Sequence, residues 1–407
     1  MNTLYYTLSV LEGLFYLYFA LATLYIFIYG VSGLFYRQKH AKVISKQRKF
    51  AVLIPGYKED EVIIHVAEEA VKQDYPKDKY EVIVIADSFK KTTLDALRQL
   101  PITVVEVVFE VSKKSKALNK CMEVIGDDYD VAFVLDADNV MKPDVLTKIN
   151  EAFDRGFIAV QGHRTAKNLN TSVAILDAMS EEINNHIFRK GHRVLGMSSA
   201  LIGSGMGLDY HLFKSTMATV DSVGEDKEVE LKIIKNGVKI EYVDDALIFD
   251  EKTQKSDVFV NQRRRWIAAQ LSYFKEYFFD GVKQLLVKGN VDFFDKVLQM
   301  VQPPRILLVG ILFIITAILW LFEFIFPDLA SDLYYFNHQY WLTLFLATTF
   351  TLIISIPRRF YNKKTLKALL YILTGFVLMI LSLLKIKGAS KKFIHTTHSH
   401  TDGVKHD

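Results

Sequence analysis

One cysteine, Cys121, is all that 407 residues hold, so no disulfide can form within the chain. That scarcity agrees with a reducing compartment, and in Asn119-Lys120-Cys121-Met122 the thiol reads as an ordinary helix residue rather than a nucleophile. Strong net charge is lacking too. The formal excess of +4 is accounted for by basic residues flanking apolar segments, and it gives no sign of nucleic acid as a partner. Residues 1–6 carry no positive charge, and no small-residue cleavage pattern follows the apolar run behind them. A cleaved leader needs both, so that run is expected to remain as an anchor.

What the chain has in abundance is apolar surface: half of its residues are hydrophobic, with 29 Phe and 20 Tyr. Residues 8–29 form a nearly uncharged run long enough to cross about 30 Å of hydrocarbon, and 306–326, 341–356 and 368–384 are three further candidates. Arg37, Lys39, Lys42, Lys46, Arg48 and Lys49 crowd the far side of the first run, which predicts an outside N-terminus and cytoplasmic residues 37–300. The loop 327–339 has acids and no Lys or Arg, as an outer loop should. The last segment is basic on both sides, with Arg358, Arg359, Lys363 and Lys364 before it and Lys385, Lys387, Lys391 and Lys392 after it. It either spans against the charge rule or is re-entrant or interfacial. The implied division is an anchor (1–36), a cytosolic domain (37–280), an amphipathic interface helix (281–304), membrane segments (305–388) and a basic tail (389–407). His395, His398, His400 and His406 decorate that tail without fixed acids beside them, so it reads as facing lipid headgroups rather than holding a metal. The expected location is the cytoplasmic cell membrane, crossed more than once.

Between the apolar segments the pattern is α/β. Ala51-Val52-Leu53-Ile54, Glu81-Val82-Ile83-Val84-Ile85 and Val131-Ala132-Phe133-Val134-Leu135 are β-branched runs of the kind buried in a parallel sheet. Helical candidates fill the gaps at about 59–73, 92–100, 116–125 and 144–153. Alternation of this kind predicts a doubly wound, mostly parallel sheet, whose ligands bind at the carboxyl ends of the strands. Polar residues fall on that edge: Pro55-Gly56-Tyr57-Lys58-Glu59, Asp87-Ser88 and Asp136-Ala137-Asp138-Asn139. Asp87 alone reads equally well as a turn former. The Asp136/Asp138 pair says more, because two acids at i,i+2 in extended backbone project to one side and repel unless a cation sits between them. Mg²⁺ or Mn²⁺ suits such oxygens and commonly shares them with substrate phosphates. Gln262-Arg263-Arg264-Arg265-Trp266 lies downstream. By itself it would be a solvated helix face or a lipid anchor; following two carboxylate clusters it suggests diphosphate-sugar chemistry.

These stretches, taken in order, resemble the family 2 glycosyltransferases, the inverting GT-A enzymes that include cellulose, chitin, hyaluronan and poly-N-acetylglucosamine synthases. The resemblance covers about residues 50–270 and continues into the membrane segments. Pro55 to Glu59 looks like the P-x-Y-x-E loop and Asp87 like the first nucleotide-binding aspartate. Lys114 with Ala117-Leu118-Asn119 resembles K-x-x-A-L-N, Asp136-Ala137-Asp138 the D-x-D motif, and Gly203-Ser204-Gly205-Met206-Gly207 the glycine-rich acceptor loop. Glu225-Asp226 looks like the end of T-E-D, and Gln262 to Trp266 fits Q-x-x-R-W. Gly224 stands where Thr is usual, Lys116 where glycine is common, and Ser88-Phe89 follows Asp87 in place of Gly-Ser, all without touching an ionisable position.

The resemblance implies a GT-A domain flanked by transmembrane helices and a UDP-sugar donor. Tyr57, Glu59 and Asp87 would hold uracil and ribose, while Lys114, Asp136, Gln262 and Arg265 would meet the rest of the donor. Asp138 would ligate Mg²⁺ or Mn²⁺, and Gly205, Met206, Glu225 and Trp266 would face the acceptor. Asp226 would be the general base, although its place in the first turn of a helical-looking run also suits the helix dipole. The leading expectation is a membrane polysaccharide synthase that extends a β-linked glycan and passes it through its own spans. The alternative is a single addition onto a lipid acceptor, such as a ceramide or polyprenyl glycolipid. A non-catalytic scaffold is disfavoured, since a decayed site would have lost one of Asp138, Asp226 and Arg265. So few spans leave a narrow glycan channel, which points to a homo-oligomer or an accessory subunit beside the lipid bilayer.

Overall fold

In the computed structural model a long apolar helix, α1 (Asn2–Gly33), leads into an α/β domain. The structure describes residues 2–41, 45–222, 224–252, 256–329 and 334–384, apart from the side chains of 2–5, 256–263, 265 and 382–384. The four tail histidines and the lysines at 42, 385, 387, 391 and 392 therefore lie outside the described residues.

The β-branched runs form the strands expected of them: β1 (Phe50–Tyr57), β2 (Tyr80–Asp87) and, after β3 (Thr103–Val107), β4 (Val131–Val134). β1 pairs in parallel with both β2 and β4, and β2 with β3. The crossovers carry α2 (Ile63–Ala70), α3 (Lys91–Leu97) and α4 (Lys114–Val124), close to the predicted positions, with α5 (Val145–Asp154) beyond β4. Val52, Leu53 and Ile54 are completely buried because helices cover both faces of the sheet.

Past β4 the sheet is mixed rather than mostly parallel. Its remaining strands are β5 (Val140–Met141), β6 (Ala159–Ala166), β7 (Met206–Asp209) and β8 (Ile240–Asp250), and the strand order is β3-β2-β1-β4-β7-β6-β8-β5. β7 runs antiparallel to both β4 and β6, while β8 is parallel to β6 and antiparallel to β5. Gly203 (φ 77°) and Gly205 (φ 66°) make the reversal, because the left-handed region they occupy admits glycine without strain. The Gly205 N–H then donates to the Val134 carbonyl at 2.8 Å, which fixes the glycine loop over the end of β4.

The rest is helical. α6 (Ser172–Asn184) passes through a π-helical stretch (Asn185–Gly191) into one last turn, α7 (His192–Val194). This helix joins the two halves of the molecule: Ile183 and Ile187 pack with Phe19, Ile26, Leu308 and Trp341 of the apolar helices. A Cβ at Gly191 would lie 2.0 Å from the Tyr29 carbonyl oxygen, so only glycine allows α1 that near. α8 (Tyr210–Met217) and α9 (Glu225–Lys235) cover one face of the sheet, beside the 33-residue α10 (Ser256–Lys288).

After α10 comes α11 (Val291–Gln299), the expected amphipathic segment, and its polar side is turned inward. Asp292 accepts from Ser198 N and Oγ (2.8 and 2.5 Å), and Asp295 from the Tyr25 and Tyr29 hydroxyls (2.7 and 3.1 Å). The apolar helices α12 (Arg305–Ile325), α13 (His338–Ile354) and α15 (Ile372–Leu384), with the short lysine-bearing α14 (Lys363–Leu369) before the last of them, complete the described chain. Among the described residues, Tyr6–Gly33 and Arg305–Ile325 are long and apolar enough to cross a membrane, while Lys363–Leu369 and Ile372–Leu381 meet at a 43° bend. α13, with 17 residues, is about 26 Å long, slightly less than a typical hydrocarbon core.

Candidate active site

The carboxyl edge of the sheet gathers the predicted donor residues. Tyr57 and Asp87 are opposite each other in the β1/β2 register, each followed by a non-glycine residue with positive φ, Lys58 at 56° and Ser88 at 61°. Such backbone is uncommon outside functional turns. Here Lys58 N–H donates to the Asp87 carbonyl (3.1 Å) and Ser88 Oγ–H to its carboxylate (2.8 Å), which locks both turns around Asp87. A Cβ at Gly56 would lie 2.7 Å from the tip of the Phe89 ring, so any side chain there would have to displace that ring.

At the end of β4, Ser204 Oγ accepts the Asp136 N–H at 3.0 Å and donates to the Asn139 side-chain oxygen at 2.7 Å. The Asn139 amide nitrogen then donates to Asp138 (3.1 Å) and to Asp250 at the end of β8 (3.0 Å). Burial pushes the Asp250 carboxyl up to about 8; Arg164 opposes the rise, and Asp138, Asp136 and Asp177 add to it. Among the described residues, no three acidic, His or Cys side chains converge closely enough to hold a metal unaided. One or two carboxylates with open positions nevertheless fit Mg²⁺ or Mn²⁺ completed by diphosphate oxygens.

Lys114, at the start of α4, ties this edge to the glycine loop and to the start of α9. Its ammonium donates to Asp136 (2.5 Å) and to the Gly203 carbonyl (2.7 Å), and lies 3.3 Å from Glu225. Burial works against that charge, but Asp136 and Glu225 outweigh it and raise the pKa. Burial likewise lifts the Glu225 carboxyl to about 7; Lys114 opposes the rise, and Asp226 and Asp136 reinforce it. Asp226 Oδ1 accepts the Lys227 N–H (2.9 Å), while Oδ2 is turned towards Gly203, 3.6 Å from where a Cβ would be.

Tyr57, Glu59, Asp87, Lys114, Asp136, Asp138, Glu225, Asp226 and Trp266 all line one cavity. Gly205 and Met206 do not: Met206 is fully buried as the first residue of β7, so this part of the loop underlies the site, and Gly203 faces it instead. Gln262 and Arg265 fall within α10, and their side chains lie outside the described residues. Two contributors were missed from sequence, Asp250 and Arg164. Asp250 obeys the rule that found Asp87 and Asp136, an apolar strand ending in a carboxylate at the ligand edge, as the run Leu247-Ile248-Phe249-Asp250 shows. Arg164 follows Gly162-His163 inside β6 and gave no signal; it donates to Glu181 at 2.6 Å.

Charge compensation for a departing diphosphate, with a carboxylate held beside it on the acceptor side, is what a glycosyltransferase needs. That class is confirmed by sequence: residues 47–269, more than half of the chain, match the family described as Glycosyltransferase like family 2. The chain belongs to that family. No curated protein matches it. Similar solved structures include mannosyltransferase PcManGT from Pyrobaculum calidifontis in complex with GDP-Man and Mn²⁺ (15% identity, 85% of this chain and 96% of that one, TM-score 0.49). Others are S. aureus TarS with UDP-GlcNAc (13%, 81% and 91%, 0.40) and Mycobacterium tuberculosis glucosyl-3-phosphoglycerate synthase with Mn²⁺, UDP and phosphoglyceric acid (16%, 57% and 83%, 0.42).

Proposed function

We propose that the chain is a membrane-anchored inverting glycosyltransferase that moves a sugar from a UDP-sugar to a hydroxyl of a lipid-borne acceptor on the cytoplasmic side. The supporting observation is the path of the cavity. From the carboxylate edge it continues past Trp266 into a stretch walled by Ile306, Val309, Phe313, Leu352, Phe376 and Met379. Hydrocarbon is at home against such walls, whereas a sugar chain would leave its hydroxyls without partners. Membrane anchoring is supported by the large apolar side chains exposed on α1 and α12, among them Leu11, Leu14, Ile318 and Trp320.

In this reading Asp226 takes the proton of the acceptor hydroxyl as its oxygen bonds to the anomeric carbon and the bond to UDP breaks on the opposite face. Lys114 holds Asp136 in place and keeps positive charge beside the leaving diphosphate. Gln262 and Arg265 would add donors to it, since a guanidinium makes paired hydrogen bonds to phosphate. Mg²⁺ or Mn²⁺ held by Asp138 would supply Lewis-acid stabilisation of that diphosphate. Tyr57, Glu59 and Asp87 would take the uridine, as the family resemblance implies.

Extension of a β-linked glycan is the second reading. It is favoured by Trp266, 45% exposed on the cavity wall and able to stack on a sugar ring. Sizing the products made by purified membranes with each UDP-sugar separates the two. One discrete, solvent-extractable glycolipid at every donor concentration is expected; a ladder of water-soluble polymer would replace the lipid reading with the glycan one.

A further inference from the structure

The helix that carries Asp226 begins without a side-chain cap. Its N-cap residue is Gly224, so no side-chain oxygen there can accept from the first turn, where backbone N–H groups need partners. The backbone at Gly224, with φ −109° and ψ 61°, does not itself demand glycine. What crowds a side chain there is Tyr273 of α10: a Cβ at position 224 would sit 3.1 Å from its hydroxyl and 3.6 Å from Cε2, so the hydroxyl would have to give way by a few tenths of an ångström. The same hydroxyl donates to the Gly224 carbonyl at 3.0 Å and lies 2.6 Å from Ser222 Oγ. Gly224 O is also where Lys227 N–H (3.1 Å) and Glu228 N–H (3.2 Å) end, so Tyr273 grips the atom on which the first turn of α9 closes. Tyr273 is only 6% exposed, and its ring packs in the main core, which holds the hydroxyl in place.

We propose that Tyr273 is a positioning residue for Asp226, acting through the Gly224 carbonyl on which the first turn of α9 closes. Its hydroxyl fixes Ser222 and Gly224 against α10, and the glycine at 224 exists to make room for it. The two residues form an interdependent pair. Because α10 also presents Trp266 to the cavity, one rigid helix sets the spacing between the acceptor-side ring and the carboxylate. The proposal rests on reading Asp226 as the base.

The test is a double-mutant cycle on the full chain in detergent or nanodiscs, with kcat, donor KM and thermal unfolding measured separately. Tyr273→Phe keeps the ring and loses the hydroxyl; it should lower kcat about five- to tenfold with donor KM unchanged. Gly224→Thr alone should lower kcat at least as much, because its side chain meets the tyrosine hydroxyl. Together the two should restore kcat to within about twofold of the native protein, the threonine capping α9 in the vacated space. Single effects that simply multiply in the double variant, or a Gly224→Thr protein with native turnover, would overturn the pairing. Asp226→Asn, assayed alongside, separates the two readings. Near-native transfer there removes the base assignment and the premise of this proposal with it, whereas an inactive Asp226→Asn beside an additive cycle overturns the proposal alone.

Discussion

Asp226 is asked to be both anchored and available. One oxygen is occupied by the Lys227 N–H at 2.9 Å, which aims the other across Gly203. Asp226→Asn keeps the shape but cannot accept a proton, so UDP-sugar binding should persist by calorimetry while transfer falls by on the order of 10²–10⁴. Asp138→Ala acts on the other end of the reaction and should abolish stimulation by Mn²⁺ or Mg²⁺ without unfolding the protein; native activity undiminished by excess chelator would rule the cation out. Eight of the twelve other residues singled out with Asp226 share its cavity wall, most of them for a simple reason: they carry ionisable or aromatic groups near strand ends or helix starts, within a recognisable order. That count includes Glu59, Tyr57 and Trp266 but not Gly205 or Met206, since a glycine-rich run does not reveal which residue turns outward.

At the scale of elements, β1, β2 and β4 were legible because strands buried on both faces must be continuously apolar. β5 has two residues and β7 four, too short for any periodicity, and the partners of β7 follow from the glycine turn that precedes it and not from its own composition. Equally illegible was the clamp between β6, α6 and the turn before α14. His163 Nε2 faces Glu182 at 3.1 Å and Nδ1 faces Asp244 at 3.0 Å, while Arg359 and Thr165 also bond Glu182. Burial disfavours charge on His163, but hydrogen bonds to Asp244 and Glu182 outweigh it and raise the imidazole to about 9. Glu182, opposed by its own burial, is held down to about 2 by His163 and Arg359. A histidine raised in the folded state stabilises it fully below its ordinary pKa of about 6.5 and loses that contribution as pH climbs through about 9. The carboxylate contribution is complete above the ordinary value of about 4.5 and is lost as the pH falls from there through about 2. The unfolding midpoint should therefore decline between about pH 7 and 9, by up to about 3 kcal/mol of stability, and His163→Gln should flatten that decline. A native profile unchanged over that range would show that His163 is neutral in the fold.

For the whole molecule the informative quantity is the size of the cavity. At about 2650 Å³ it far exceeds the roughly 300–1,000 Å³ of a pocket for one small ligand, and a nucleotide sugar at the carboxylate edge leaves its apolar stretch unfilled. No local pattern in the sequence announces this space, because its walls come from α6, α10, α12, α13 and α15, brought together only by the fold. If the acceptor's hydrocarbon lies there, narrowing it at a point remote from the chemistry should discriminate between acceptors by chain length. Val309, on the cavity wall in α12, is suited to this, since Val309→Trp adds an indole between α12 and the neighbouring helices. UDP-sugar hydrolysis in the absence of acceptor should stay at the native rate, because the donor edge is untouched. The acceptor KM should rise at least about tenfold for long-chain lipids, the loss of about 1.4 kcal/mol that fewer than two buried methylenes would account for. Acceptors cut back to a few carbons should be used as well as before. Equal losses with short and long chains would place the hydrocarbon somewhere other than this stretch, and the glycan reading would then have the better claim to it.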